Sequence, residues 1–273
     1  MDDSSTAALA ESFVASRGEL IASHERLAGI VAQLGPDDVS GPSYDDDWTI
    51  AQVLSHLGSG SAILIALLDG VRTGEGVPSM DTIRGIWDEW NAKSPQDQAR
   101  DGLASDEKSL DLLGAVTEEE AVTWSAPMFG APRTLPDMLD MRVGEHAAHT
   151  WDIDVMRSAA AVLSPGAVAL LIDRLERPVS RSGKLGVGQR VTVVTTDPAR
   201  EFVLVGGDEE TTLTAADGPE MAEAAEAATG EVRLPAEAFV RLVYGRLDAD
   251  HTPAGITADG IDLDTLRAAF PGF

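Results

Sequence analysis

The sequence predicts an α + (α+β) chain: a bundle of helices over residues 1–160, then a small α+β domain over 161–273. Two observations lead there. Through the first 155 or so residues, apolar side chains recur at helical spacing between short Gly-, Pro- and Asp-rich breaks. Beyond residue 160 the pattern shortens to β-branched, alternating segments separated by turns. With 273 residues, 44% of them hydrophobic, the chain is long enough for two cores.

The elements follow in order. Residues 5–34 read as one long helix, with Leu9, Phe13, Leu20, Ile21, Leu27 and Ile30 on its apolar side. The stretch GPDDVSGPSYDDD is a loop. At WTIAQV a second helix starts: Thr49 caps it and Gln52 completes a capping box, while Trp48 and Val53 are placed for a hydrophobic staple. It is predicted to run to about Thr73 and stop at Gly74. A third helix covers about 80–93 and a fourth about 95–115, the latter with Ser94 as cap and Pro95 at its first position. AVTWSAPMFGAPR is then extended, and TLPDM opens a helix that lasts to about Met156, with Thr134 and Asp137 as start signals. Short connections between such helices predict an antiparallel bundle.

The change of character falls near 158–164. SPGAVALLIDRLER reads as a helix, and QRVTVVTT, EFVLVGG and TTLTAA as strands. GEVRLPAEAFVRLVYGRL reads as strand, cap and helix, and IDLDTLRAAF as a closing helix.

Bulk chemistry excludes several functions. There are no cysteines, so disulfides, thiolate metal sites and a cysteine nucleophile are excluded, and any thiol chemistry needs a bound small molecule. A formal charge of −26 repels phosphate backbones and anionic lipid, so neither nucleic acid nor membrane is an expected partner. The acidic start MDDSSTAALAESF lacks a secretion signal, and the longest apolar run, AILIALL, is far too short to span a bilayer. The expectation is a soluble cytoplasmic protein.

Against this background RVGEHAAHTWDID stands out. On a helical wheel Leu135, Met138, Leu139, Ile153 and Met156 mark the core-facing side, and Arg142, Glu145, His149 and Asp152 fall on that same side. Charges there need compensation, because burying an unpaired one costs several kcal/mol or more. Glu145 and His149 are i and i+4, hence neighbours on the helix. His56 lies at the border of the apolar face of the second helix, with Gly60 one turn on leaving open space beside its ring. His, Glu and His on two bundle helices, with an open fourth position, match the donor set of a catalytic Zn²⁺ site. Arg142 and Asp152 would support it, Asp152 by orienting the His149 ring. Spacing alone leaves two alternatives: His56 as a hydrogen-bonded core histidine, and His146–His149 as the pair in place of Glu145–His149. His24 and His251 read as surface residues.

DDWTIAQVLSHLGSG, followed some ninety residues later by RVGEHAAHTWDIDVMRS, resembles the mycothiol-dependent maleylpyruvate isomerase family, part of the wider group of DinB-like metal-binding bundles. The resemblance extends over the whole chain and implies a four-helix N-terminal bundle followed by a small α+β domain, with RLVYGRLD as the late helix of the latter. It implies that His56, Glu145 and His149 bind a divalent metal, zinc being the one expected, and it favours Glu145–His149 over His146–His149. It also implies mycothiol, the thiol of actinobacteria, as the source of the missing sulfur. Coordination to a divalent cation deprotonates a thiol, and the thiolate is the nucleophile. The resemblance thus implies S-transfer to an electrophile or thiol-assisted cis–trans isomerisation of a small unsaturated acid. In either reaction Arg142 and Asp152 would serve catalysis, and Arg142, Arg241 or Arg246 would hold a substrate carboxylate. The other reading is a solvated helix face for Arg241 and Arg246, and neutralisation of Glu145 or Asp152 for Arg142. The alternatives are a metal-dependent hydrolase, and a sensor or carrier that binds metal or thiol without turnover. Oligomeric state is not legible.

Overall fold

A computed structural model describes residues 3–45, 47–128, 131–215 and 227–272. Contacts divide the chain into two compact units, Met1–Ala161 and Val162–Phe273. The architecture is mixed helix and sheet, with ten α-helices and two sheets among the described residues.

The first unit contains α1 (Asp3–Val31), α2 (Ile50–Thr73), α3 (Met80–Asn91), α4 (Pro95–Gly114), α5 (Glu118–Thr123) and α6 (Leu135–Asp154). The strands β1 (Ser125–Met128) and β2 (Ala131–Thr134) form an antiparallel pair just before α6. Both expected capping boxes are present. At α2 the Thr49 side chain accepts from the Gln52 amide, and Gln52 accepts from the Thr49 amide at 2.8 Å. At α6, Thr134 and Asp137 make the same reciprocal pair. Gly74 ends α2 in the left-handed conformation that its missing Cβ permits.

Two helix pairs organise the unit. α2 packs chiefly on α4, and α6 chiefly on α1. The first pair approaches so closely that a Cβ on Gly102 would stand 2.6 Å from the Leu54 carbonyl oxygen. The second is joined by Ser16–Asp140 at 2.5 Å and Arg26–Asp154 at 2.9 Å. A core of Leu27 and Ile30, Ile50, Val53, Leu54 and Leu57, Ala99, and Ile153 draws on all four helices. Each such Leu or Ile side chain contributes roughly 1.5–3 kcal/mol by leaving water. Trp48 packs against this core beside Val53, as the staple requires.

The second unit contains α7 (Pro165–Leu171), α8 (Glu176–Ser182), α9 (Ala236–Val243) and α10 (Leu263–Ala269) around one five-stranded sheet. Its strands are β3 (Arg190–Thr196), β4 (Arg200–Gly206), β5 (Thr211–Ala215), β6 (Gly230–Pro235) and β7 (Thr257–Asp259), in the order β5-β4-β3-β6-β7. β3 and β6 are parallel and the other neighbours antiparallel. α9 lays a buried apolar side on the sheet, with the Phe239 ring 5.7 Å from that of Phe202.

Several expectations need correction. AVTWSAPMFGAPR is not extended throughout: Ala121–Thr123 close α5 through a second capping box, Thr117 with Glu120; Phe129 and Gly130 lie outside the described residues. The helix expected over 164–177 breaks after Leu171 into a 3-10 turn, and a new helix starts at Glu176. α6 ends at Asp154, and Met156 is exposed rather than on the core face. Finally, α2 is by length and composition able to cross a membrane, which its short uninterrupted apolar run conceals; 61% of its most apolar window is buried inside the unit.

Candidate metal centre

α2 and α6 bring His56, Glu145 and His149 together, with one donor atom from each inside a 4.8 Å circle. His56 Nε2 is 2.8 Å from Glu145 Oε2, and His149 Nε2 is 3.5 Å from the same oxygen. The two imidazoles meet edge to face at 4.8 Å between centroids. Trp48 covers both, stacked near His149 at 5.9 Å and tilted toward His56 at 5.1 Å.

The stripe on α6 is only partly buried. Asp152 is wholly buried and Arg142 and His149 nearly so, but 47% of the Glu145 side chain is open to solvent. The expectation of a buried Glu145 is therefore corrected: the carboxylate faces an opening, and the buried acid on this stripe is Asp152. Asp152 accepts from His149 Nδ1 at 2.9 Å. That bond fixes the tautomer and turns Nε2 toward Glu145 and His56. Asp152 has no exposed surface and reaches the cluster through His149.

Electrostatics support the same picture. Enclosure by protein pushes the Glu145 carboxyl up, but hydrogen bonds from His149 and His56 outweigh it and hold the group well below the usual carboxylate range. Burial likewise opposes charge on His149, yet Asp152 and Glu145 raise its pKa to about 9. Two nitrogens and a carboxylate oxygen, converging beside solvent and with one imidazole already aimed from behind, fit a divalent cation of the zinc type. The cation would take the place of the protons now shared in the His–Glu–His cluster.

The other residues singled out fall elsewhere. His146 turns away from His149 and donates through Nε2 to Asp106 on α4 at 2.9 Å. Arg142 joins it there. Its Nη2 donates to the Leu57 carbonyl at 2.6 Å, to Ser61 Oγ at 2.8 Å and to Asp106 at 3.3 Å. Its Nη1 stands over Gly60, where a Cβ would approach it to 2.5 Å. Gly60 therefore makes room for the Arg142 guanidinium and not for the His56 ring. His24 is no surface residue, since its Nδ1 lies 2.8 Å from Asp106 and its side chain is 16% exposed.

Asp106 is the site residue that the sequence reading missed. It is nearly buried, and partners on α1, α2 and α6 converge on it. Its burial pushes the carboxyl up, but His146, His24 and Arg142 together force it far below the normal range. The available signal was an Asp among small residues on the inner side of α4.

Arg241 and Arg246, in the second unit, are both buried rather than on a solvated helix face. Arg241 grips Glu237 through Nε and Nη2 at 2.7 and 3.0 Å, and bonds the carbonyls of Arg246 and His251. Arg246 is 8% exposed and donates to the Tyr244 carbonyl. His251 is half-buried beside Asp248.

Residues 20–154 match the family model described as the mycothiol maleylpyruvate isomerase N-terminal domain. Among solved structures, the chain is similar to the crystal structure of the mycothiol-dependent maleylpyruvate isomerase and to that of a histidine-to-alanine mutant of the same enzyme. Each aligns at a TM-score of 0.65 and 16% identity, over 93% of this chain and 94% of the other. At that identity the likeness is one of fold. No curated protein sequence matches the chain.

Proposed function

The helical unit of this chain belongs to the mycothiol maleylpyruvate isomerase N-terminal domain family, and from that premise we propose a DinB-like bundle that holds a divalent cation and uses mycothiol. The reaction is S-transfer to an electrophile or thiol-assisted cis–trans isomerisation of a small unsaturated acid. The observation that carries this reading is the convergence of His56, Glu145 and His149 within 4.8 Å beside solvent. A solved structure of similar fold is named a mycothiol-dependent maleylpyruvate isomerase, which supports the thiol and the isomerisation arm of this reading.

A bound Zn²⁺ or similar cation supplies the charge that keeps a thiol ionised at neutral pH. Everything else falls to side chains. His56, Glu145 and His149 are the ligands, and Asp152 keeps the His149 ring aimed. The open side of Glu145 admits the thiol and its partner, and Trp48 packs against both imidazoles. Arg142 keeps its Nη2 on the Leu57 carbonyl, Ser61 and Asp106, so it is through Nη1, which stands over Gly60 one turn of α2 from His56, that it would meet a substrate carboxylate. In isomerisation the sulfur adds to one alkene carbon, the former double bond turns as a single bond, and expulsion of the same thiolate restores the alkene. In S-transfer the sulfur stays on the electrophile and the leaving group departs. A hydrolase finds less support, because Asp152, its one apparent general base, is buried and bonded to His149.

The test is metal content of wild type, His56→Ala and His149→Ala, followed by mycothiol titration of each. The expected result is one metal per chain in the wild type and loss of both metal and thiol binding in the variants. Mycothiol-dependent turnover by a metal-free His56→Ala protein would refute the mechanism. Turnover of an ester or amide without added thiol would indicate the hydrolase, and tight binding with no turnover the sensor.

A further inference from the structure

α2 packs chiefly on α4 and α6 chiefly on α1, while the two helices that carry His56 and Glu145–His149 meet each other less extensively, through the shared apolar core and a set of buried polar links. Several of these polar links converge on a single carboxylate. Asp106, on α4, receives Ser61 from α2 on Oδ1 at 2.9 Å. The same oxygen receives His146 Nε2 at 2.9 Å and Arg142 Nη2 at 3.3 Å, both from α6. Its Oδ2 faces His24 Nδ1 of α1 at 2.8 Å. Arg142 carries the connection back to α2, through the Leu57 carbonyl at 2.6 Å.

These anchor points adjoin the proposed ligands in the chain. Leu57 follows His56, His146 follows Glu145, and Arg142 lies one turn before Glu145. We propose that Asp106 is a positioning residue for the metal centre: it fixes the separation of α2 from α6 and so the spread of His56, Glu145 and His149. The inference rests on the metal-centre reading but adds a residue to it from a helix that contributes no ligand. The chemistry suits the task. A buried carboxylate with two oxygens can accept from several donors at once, and a charged acceptor makes each bond shorter and stiffer than a neutral one would. Partners behind ligands typically change metal affinity roughly tenfold to a hundredfold when removed.

The experiment compares wild type with Asp106→Asn, Ser61→Ala and His24→Asn, taking Leu113→Ala on the same helix as a control for general destabilisation. Each folded protein is titrated with Co²⁺ against a competing chelator well below its melting temperature, and its visible absorption bands are recorded. The expected result is a loss of affinity of roughly tenfold to a hundredfold in Asp106→Asn, with altered band intensities. A smaller loss in the same direction is expected for Ser61→Ala and His24→Asn. Leu113→Ala should melt earlier with unchanged affinity and bands. If Asp106→Asn does not fold, the other two variants decide. Equal affinity and spectra in all folded variants, whatever their melting temperatures, would overturn the proposal. A wild type that takes up no Co²⁺ would instead sink the metal reading. Asp106 would then be judged from crystal structures: the 2.8 Å between His56 and Glu145 must lengthen in a hub variant, and if unchanged the proposal fails as well.

Discussion

His149 directs its two ring nitrogens at two carboxylates, Asp152 at 2.9 Å and Glu145 at 3.5 Å. In the metal-free protein this raises its pKa from 6.5 to about 9. Because the folded value lies above the unfolded one, the stabilisation is fully present below about pH 6.5 and is lost as pH rises through about 9. The melting temperature of the apoprotein is therefore expected to fall across that window. Saturation with Zn²⁺ should remove this component, since a ligating imidazole has already given up its proton. Thermal melts of both forms at pH 6, 7, 8 and 9, as the sampled points, would show it, and parallel curves would count against the cluster. At this scale the sequence shows the i,i+3 and i,i+4 relations of Asp152 and Glu145 to His149, because one helix turn sets them. The partner of His146 is not legible. Asp106 is 40 positions away, and no periodicity links the two.

Among elements, the approach of α2 to α4 is the tightest constraint on where His56 stands. A Cβ on Gly58 would meet the Trp90 ring at 2.5 Å and Gly102 Cα at 2.7 Å, and one on Gly102 would meet the Leu54 oxygen at 2.6 Å. The opposing groups are ring and backbone, which cannot swing aside. Gly102→Ala is accordingly expected to destabilise the fold by about 1–3 kcal/mol through overpacking, despite alanine's better helix propensity. Urea denaturation would measure it, and a gain in stability would mean that the helices can separate freely. The start of α2 and that of α6 were readable from Thr49 with Gln52 and Thr134 with Asp137, since a capping box is complete within four residues. α8 and β7 were not readable. α8 lacks a side-chain cap, and β7 is three exposed residues held at a sheet edge by β6.

For the molecule as a whole, 46 acidic against 20 basic residues make self-repulsion the main electrostatic term. Between about 0.01 and 1 M salt the screening length falls from about 30 to about 3 Å, so the melting temperature should climb with added potassium chloride. A flat or falling curve would show that short-range pairs, not net charge, govern stability. Sequence alone determined the succession of most helices and strands, the absence of any protein thiol and the grouping of Arg142, Glu145, His149 and Asp152 on one stripe. Those properties are local, carried by composition, caps and the 3.6-residue turn. Tertiary structure alone decided that Glu145 meets solvent while Asp152 is sealed, that Arg142 and His146 turn toward Asp106, and that Arg241 is spent on Glu237. Which charge meets which depends on how separate helices pack, and that packing is settled by side chains far apart in the chain.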